Sequence, residues 1–199
     1  LKNNDFKQIT YWDQKLIEIE PSITQINENL IASVNDMLQT SEIKEHFAEK
    51  NPWLADLAIH YAPGFDNNVD FSQILQQNME KDRILKRTTA GPHKRSFNIL
   101  LNDISAQDLL SRGQQKVVSI ILHLIQRELI QNKTNTSPIL LMDDISSELD
   151  KDNANLMLKY LINKSIQTVM TSIEKKRFKD EKDVFMFHVE QIGDKSNVR

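Results

Sequence analysis

From Trp12 the apolar residues fall at Trp12, Leu16, Ile19, Ile23, Ile26, Leu30 and Met37, steps of four and three in which only Ser33 breaks the series. That is the spacing of a heptad seam on one long helix. Ile17, Ile31, Val34 and Leu38 widen the stripe. Pro21 lacks the N–H that the helix ladder needs, so it is expected to kink the helix or divide it from a preceding turn. A helix reaching Met37 measures on the order of 40 Å at ~1.5 Å per residue. The pattern fits a broad-striped helix packed on its own domain, or a coiled-coil arm whose partner helix lies upstream in sequence.

Past that helix the period changes. Residues 54–61 read as a strand ended by the Pro63-Gly64 turn, and 71–87 as an amphipathic helix. Gly91-Pro92 marks another turn, and 97–101 is apolar enough for a strand. A helix follows from 113 to about 131, a strand at 139–142, a helix at about 151–163, and strands at 168–171 and 184–189. Strand and helix in alternation from residue 97 predict an α/β fold with a largely parallel sheet flanked by helices.

Composition narrows the class. The 199 residues suit one large domain or two small ones, and a hydrophobic content of 39% can build a core. The charged residues nearly cancel to a net −3, so any polyanion-binding surface has to be local. With no cysteine there is no disulfide framework and no Cys-ligated metal, which suits a cytoplasmic protein. No run approaches the ~20 apolar residues of a membrane helix, so no membrane partner is expected. The five histidines lack metal-ligand spacing, and His123 reads as a packed residue of an apolar helix.

Two stretches carry chemistry. In PILLMDDISSELD, residues 138–150, apolar residues run into two aspartates, which describes a buried central strand ending in a polar crevice. Asp143 and Asp144 there either serve Mg²⁺ and an attacking water beside nucleotide phosphates, or terminate the strand and cap the next turn. In LLSRGQQK, residues 109–116, a Ser-x-Gly turn opens a helix, whose N-terminal N–H groups and dipole seat a phosphate. Ser111 can equally be an ordinary cap. Gly113 is harder to explain that way, since glycine in an opening turn costs helix stability.

These residues carry a resemblance. LSRGQ is similar to the signature motif of ABC-type ATPase heads, ILLMDD to a Walker B strand, and SELD at 147–150 to the D-loop after it. Within that superfamily, KDRILKRTTAGPHK, LSRGQ and DDISSELD resemble the corresponding runs of the RecF family of bacterial DNA replication and repair proteins. The WDQKL helix resembles that family's arm. The resemblance implies a helical arm segment over residues 1–50 and a C-terminal lobe of an ATPase head over 51–199. It also implies a head that works in pairs. Ser111, Arg112, Gly113 and Gln114 would contact ATP held by the other subunit, and Asp143 would hold Mg²⁺. Asp144 would stand where relatives place a catalytic glutamate, Ser147 and Asp150 would belong to the D-loop at the dimer seam, and His93 would face the nucleotide or the dimer. ATP and Mg²⁺ are the implied cofactors. The implied partners are single- and double-stranded DNA at gaps, a second copy of the chain, and recombination mediator proteins. Basic clusters at Lys81, Arg83, Lys86 and Arg87, at Lys94 and Arg95, and at Lys175, Lys176, Arg177 and Lys179 are the candidates for DNA contact.

Two departures from the family pattern matter. No G-x-x-x-x-G-K-[ST] loop occurs, and GPHKRS at 91–96 has the wrong spacing and an intervening proline. Together with the Leu1 start, this leads us to expect the C-terminal part of a longer ATPase, inactive alone. Where many heads place a switch histidine, the chain reads TSIE. With the shorter Asp144, that implies a weak ATPase in which ATP acts as a dimerisation switch. A non-catalytic interaction module on an ABC-like scaffold is the alternative.

Overall fold

The computed structural model describes residues 6–145, 149–173, 184–192 and 195–198. The chain divides into two compact units, Leu1–Leu129 and Ile130–Arg199.

The first unit opens with α1 (Phe6–Thr40), one helix that runs uninterrupted through Pro21. The expected division does not occur. Ile17 and Pro21 are both exposed, so the carbonyl of Ile17, deprived of its N–H partner, is open to water. The predicted heptad seam is present and open: Trp12, Ile19 and Ile26, seven residues apart, are exposed, Ile26 by 67%. Toward its C-terminal end α1 turns inward, with Leu38 buried. The helix α2 (Glu42–Ala48), capped by Ser41, adds Ile43 and Phe47 to the same core.

A 3₁₀ turn (Pro52–Asp56) leads into β1 (Leu57–Ala62), so the strand starts three residues later than its apolar pattern suggests. β1 pairs antiparallel with β2 (Ser96–Leu101), and β2 with β3 (Ile104–Ser105). The free edge of β1 is closed by α1. Asn35 Nδ2 donates to the Ile59 carbonyl at 2.8 Å and its Oδ1 accepts from the Ile59 N–H at 2.9 Å, while Gln39 Nε2 donates to the Leu57 carbonyl at 3.3 Å. Two amides thus stand in for a neighbouring strand. Between β1 and β2 lies α3 (Phe71–Leu85), capped by Asp70, whose carboxyl is held below its ordinary value by hydrogen bonds from the Ser72 side chain and backbone. After β3 come α4 (Ala106–Leu109) and α5 (Arg112–Thr134). Val117, Val118, Ile121, Leu124 and Ile125 form the buried stripe of α5. His123 falls out of phase with that stripe and is exposed, so it is not the packed residue expected from the helix's apolar content.

In the second unit β4 (Leu140–Met142) pairs in parallel with β5 (Thr168–Met170) through α6 (Lys151–Asn163), a β-α-β order. The α/β class holds, and parallel pairing among the described residues belongs to these two strands. β2 pairs antiparallel instead, since it follows β1 in a sheet of its own. Nor is β4 the buried central strand expected. Leu141 is 75% exposed and its register partner Val169 58%, because among the described residues β4 has β5 alone as a neighbour. The last predicted strand is displaced. Residues 184–188 have no regular structure, and β6 (Val189–Ile192) pairs antiparallel with β7 (Lys195–Val198) as a hairpin.

Candidate nucleotide site

The turn into α5 is built as a reciprocal cap. Gln114 N–H donates to Ser111 Oγ at 3.3 Å, and Ser111 N–H donates to Gln114 Oε1 at 2.9 Å. This is a capping box with glutamine in the third position, so the ordinary-cap reading of Ser111 describes a bond that is really there. It uses two of the four N–H groups that a helix start leaves over; those of Arg112 and Gly113 are the other two. Ser111 Oγ accepts in this bond, so its proton remains available to an anion.

Among the described residues nothing in the packing accounts for Gly113. It has ordinary helical backbone, and a methyl group there would meet no described atom within 4 Å beyond its own helix. Gly64 and Gly91 differ, with φ of 90° and 133°. An alanine at 113 would therefore fit and would favour the helix, and the glycine leaves open space beside the N–H groups of the first turn.

A residue that the sequence reading passed over fixes this turn. Gln115 Nε2 donates to the carbonyls of Leu110, at 2.9 Å, and Gln107, at 3.2 Å, tying the end of α4 to the start of α5. The amide directly after the LSRGQ run was the available signal. His93 is placed by Thr88, whose carbonyl lies 2.9 Å from its Nε2, so this imidazole closes the GPH turn.

In the second unit the two aspartates meet a hydroxyl. Thr171, just past β5, donates from Oγ1 to Asp143 Oδ1 at 2.5 Å and accepts from the Asp144 N–H at 2.8 Å. One side chain thereby sets a carboxylate of the first aspartate and the backbone of the second. The chain then wraps the end of β5, with Ile145 N–H donating to the Thr171 carbonyl at 3.2 Å. Asp144 takes a φ of 43°, in the left-handed region that aspartate tolerates better than most residues. Parallel pairing with β5 brings Thr171 to the aspartates, which the sequence of β4 alone could not reveal. Asp150 caps α6: its Oδ1 accepts from the N–H groups of Asp152 and Asn153, both at 3.0 Å, and its Oδ2 from Asn153 Nδ2 at 2.7 Å. Ser147 and the Lys175, Lys176, Arg177 and Lys179 cluster lie outside the described residues.

The donor sets fit the implied ligands. A magnesium ion usually takes one or two carboxylates and fills its shell with water and phosphate oxygens, which suits Asp143. Among the described residues no group of three or more His, Cys, Asp or Glu could hold a metal by itself.

The first unit carries a capped, glycine-bearing helix start, and the second an aspartate-ended strand in a parallel pair with an N-capped helix between the two strands. The chain belongs to the RecF/RecN/SMC N terminal domain family, whose model matches residues 10–195. It is 32% identical over 192 residues to the DNA replication and repair protein RecF of Shewanella sp. (strain MR-7), covering 95% of this chain and 52% of that one. It is 33% identical over 195 residues to RecF of Shewanella halifaxensis, covering 96% and 52%. The chain thus spans about half the length of the curated relatives it matches. A solved structure of the recombination mediator protein RecF in the RecFOR pathway, in its RecF-ATPrS form, superposes with a TM-score of 0.67 at 22% identity, covering 87% of this chain and 47% of that one. The fold class expected from the sequence is that of this neighbour. No helix among the described residues is long and apolar enough to cross a membrane.

Proposed function

We propose that this chain is the signature-bearing lobe of an ATP-dependent DNA repair protein of the RecF type, acting at gaps where single- and double-stranded DNA meet to help load a recombinase through mediator proteins. The observation that carries the reading is Gly113: it stands where neither backbone nor packing asks for glycine, over the open start of a capped helix. Ser111, Arg112, Gly113 and Gln114 receive the terminal phosphate of ATP bound to a second copy. Asp143 holds Mg²⁺, Asp144 orients water, and Ser147 and Asp150 lie at the seam, with His93 bracing a turn toward it. The ion supplies charge neutralisation at the phosphates. ATP serves mainly to close the pair, with slow hydrolysis. The exposed face of β4 and β5 and the open seam of α1 fit a lobe and an arm that other parts of the head complete.

The test is Gly113→Ala in the intact gene product, followed by light scattering with ATP and Mg²⁺. The variant is expected to unfold at equal or higher urea, with helix propensity adding up to about 1 kcal/mol, and to lose ATP-dependent pairing. Pairing at wild-type ATP concentrations would overturn the reading. The open seam of α1 favours a second reading, an interaction module in which charges at Ile19 and Ile26 abolish function while Gly113→Ala leaves it intact.

A further inference from the structure

Where α4 gives way to α5, the helical ladder is cut and its loose ends go to side chains. Leu110 N–H still donates to the Ala106 carbonyl at 2.9 Å, as in a continuing helix. Leu110 itself is extended, with φ −88° and ψ 138°, and its side chain is buried. The next rung of a continuous helix would run from Ser111 N–H to the Gln107 carbonyl. Ser111 N–H donates to Gln114 Oε1 at 2.9 Å instead, and the Gln107 carbonyl accepts from Gln115 Nε2 at 3.2 Å. Two consecutive glutamines thus divide one backbone bond between them, Gln114 taking the donor and Gln115 the acceptor. The Gln115 amide has a second proton, and it goes to the Leu110 carbonyl at 2.9 Å. In a continuous helix that carbonyl would accept from Gln114 N–H, which here donates to Ser111 Oγ at 3.3 Å.

The alternative to this break is fusion of α4 with α5. An unbroken helix would bond the N–H groups of Ser111, Arg112, Gly113 and Gln114 to the carbonyls of Gln107, Asp108, Leu109 and Leu110. The N–H groups of Arg112 and Gly113, which now lie at the exposed start of α5, would then be closed to any anion. Gly113 does not decide between the two arrangements, since it is helical in both and its propensity cost is the same. What favours the break is the burial of Leu110 together with the half-buried Gln115, whose amide spends both protons on carbonyls that fusion would require.

We propose that Gln115 is a positioning residue that holds α4 and α5 apart, so that the Arg112 and Gly113 N–H groups stay open to a phosphate. The break stands on its own geometry, and only the phosphate rests on the nucleotide reading proposed above. Replacements of similar helix propensity separate donor from shape. Gln115→Met has no donor, Gln115→Glu offers only acceptors to the two carbonyls at neutral pH, and Gln115→Lys returns a donor. The first measurement is amide hydrogen exchange in the intact gene product without nucleotide, read at Arg112 and Gly113. Exchange there is expected to slow roughly tenfold in Gln115→Met and Gln115→Glu and to return to the wild-type rate in Gln115→Lys. The second is light scattering with ATP and Mg²⁺, in which Gln115→Met and Gln115→Glu are expected to need roughly tenfold more ATP to pair. Exchange at both amides that is unchanged or faster in Gln115→Met would overturn the proposal, whatever pairing does. Failure of Gln115→Lys to restore exchange would overturn the part given to the donor. Slower exchange with pairing at wild-type ATP concentrations would support the break and overturn the nucleotide reading of the turn.

Discussion

Thr171 shows how one hydroxyl organises two aspartates. Its Oγ1 donates to Asp143 and accepts from the Asp144 backbone, so removing it frees a carboxylate rotamer and unties a positive-φ residue in one step. Thr171→Val keeps the shape and loses both bonds. At this exposed position the expected cost to folding is about 1 kcal/mol or less by urea denaturation. On the proposed reading, in which the intact gene product hydrolyses ATP with Mg²⁺, the loss of hydrolysis should be much larger, with Thr171→Ser restoring it. If Thr171→Val and wild type hydrolyse ATP alike, the hydroxyl does not position the aspartates. The sequence displayed Asp143 and Asp144 openly, because two carboxylates after an apolar run are visible in one dimension. Thr171 lies 28 residues from Asp143 and comes to it only through strand pairing, so no local pattern marked it.

At the scale of elements, propensity and period located the helices well and the strands less well. α6 matches its expected bounds because Asp150 caps it and its buried positions recur at helical spacing. β1 begins at Leu57 and not at residue 54, since Pro52 starts a 3₁₀ turn that takes up the first apolar residues. The open strand edge of β1 is an element-scale problem with a residue-scale answer in Asn35. Ile59 is 5% exposed, so Asn35→Ala strands a buried N–H and carbonyl that water reaches poorly. The expected loss is about 1–3 kcal/mol for an unsatisfied buried group. Asn35→Asp, which keeps an acceptor for the Ile59 N–H but has no donor for its carbonyl at neutral pH, should fall between. Chemical denaturation of the two variants checks the order, and a loss no greater than that of an exposed α1 substitution such as Asn29→Ala would show that the amide does not seal the edge.

For the whole molecule, the α/β class was legible because strand and helix alternate, whereas the exposure of Leu141 and Val169 was not, since an apolar run says nothing about whether a covering layer is present. Charge behaves similarly: the net of −3 conceals both the exposed cations at the end of α3 and an acidic pair. Asp13 on α1 has its carboxyl held above the ordinary value, first by burial and then by the charge of Asp82 on α3. The folded state therefore disfavours the ionised form. The stabilisation linked to this group is complete below the ordinary carboxylate pKa and is lost as pH rises through the raised one. At neutral pH the ionised Asp13 is a net cost, which Asp13→Asn removes. The variant is expected to melt above wild type at pH 7, and the gain should shrink toward zero as pH falls below the ordinary carboxylate range. Asp13 is half-buried, so added salt should trim the part owed to Asp82 and leave the part owed to burial. Thermal melts across pH at two salt concentrations separate these contributions. A gain that does not change with pH would place the effect in the packing of α1 on α3 and not in the charge that Asp13 shares with Asp82.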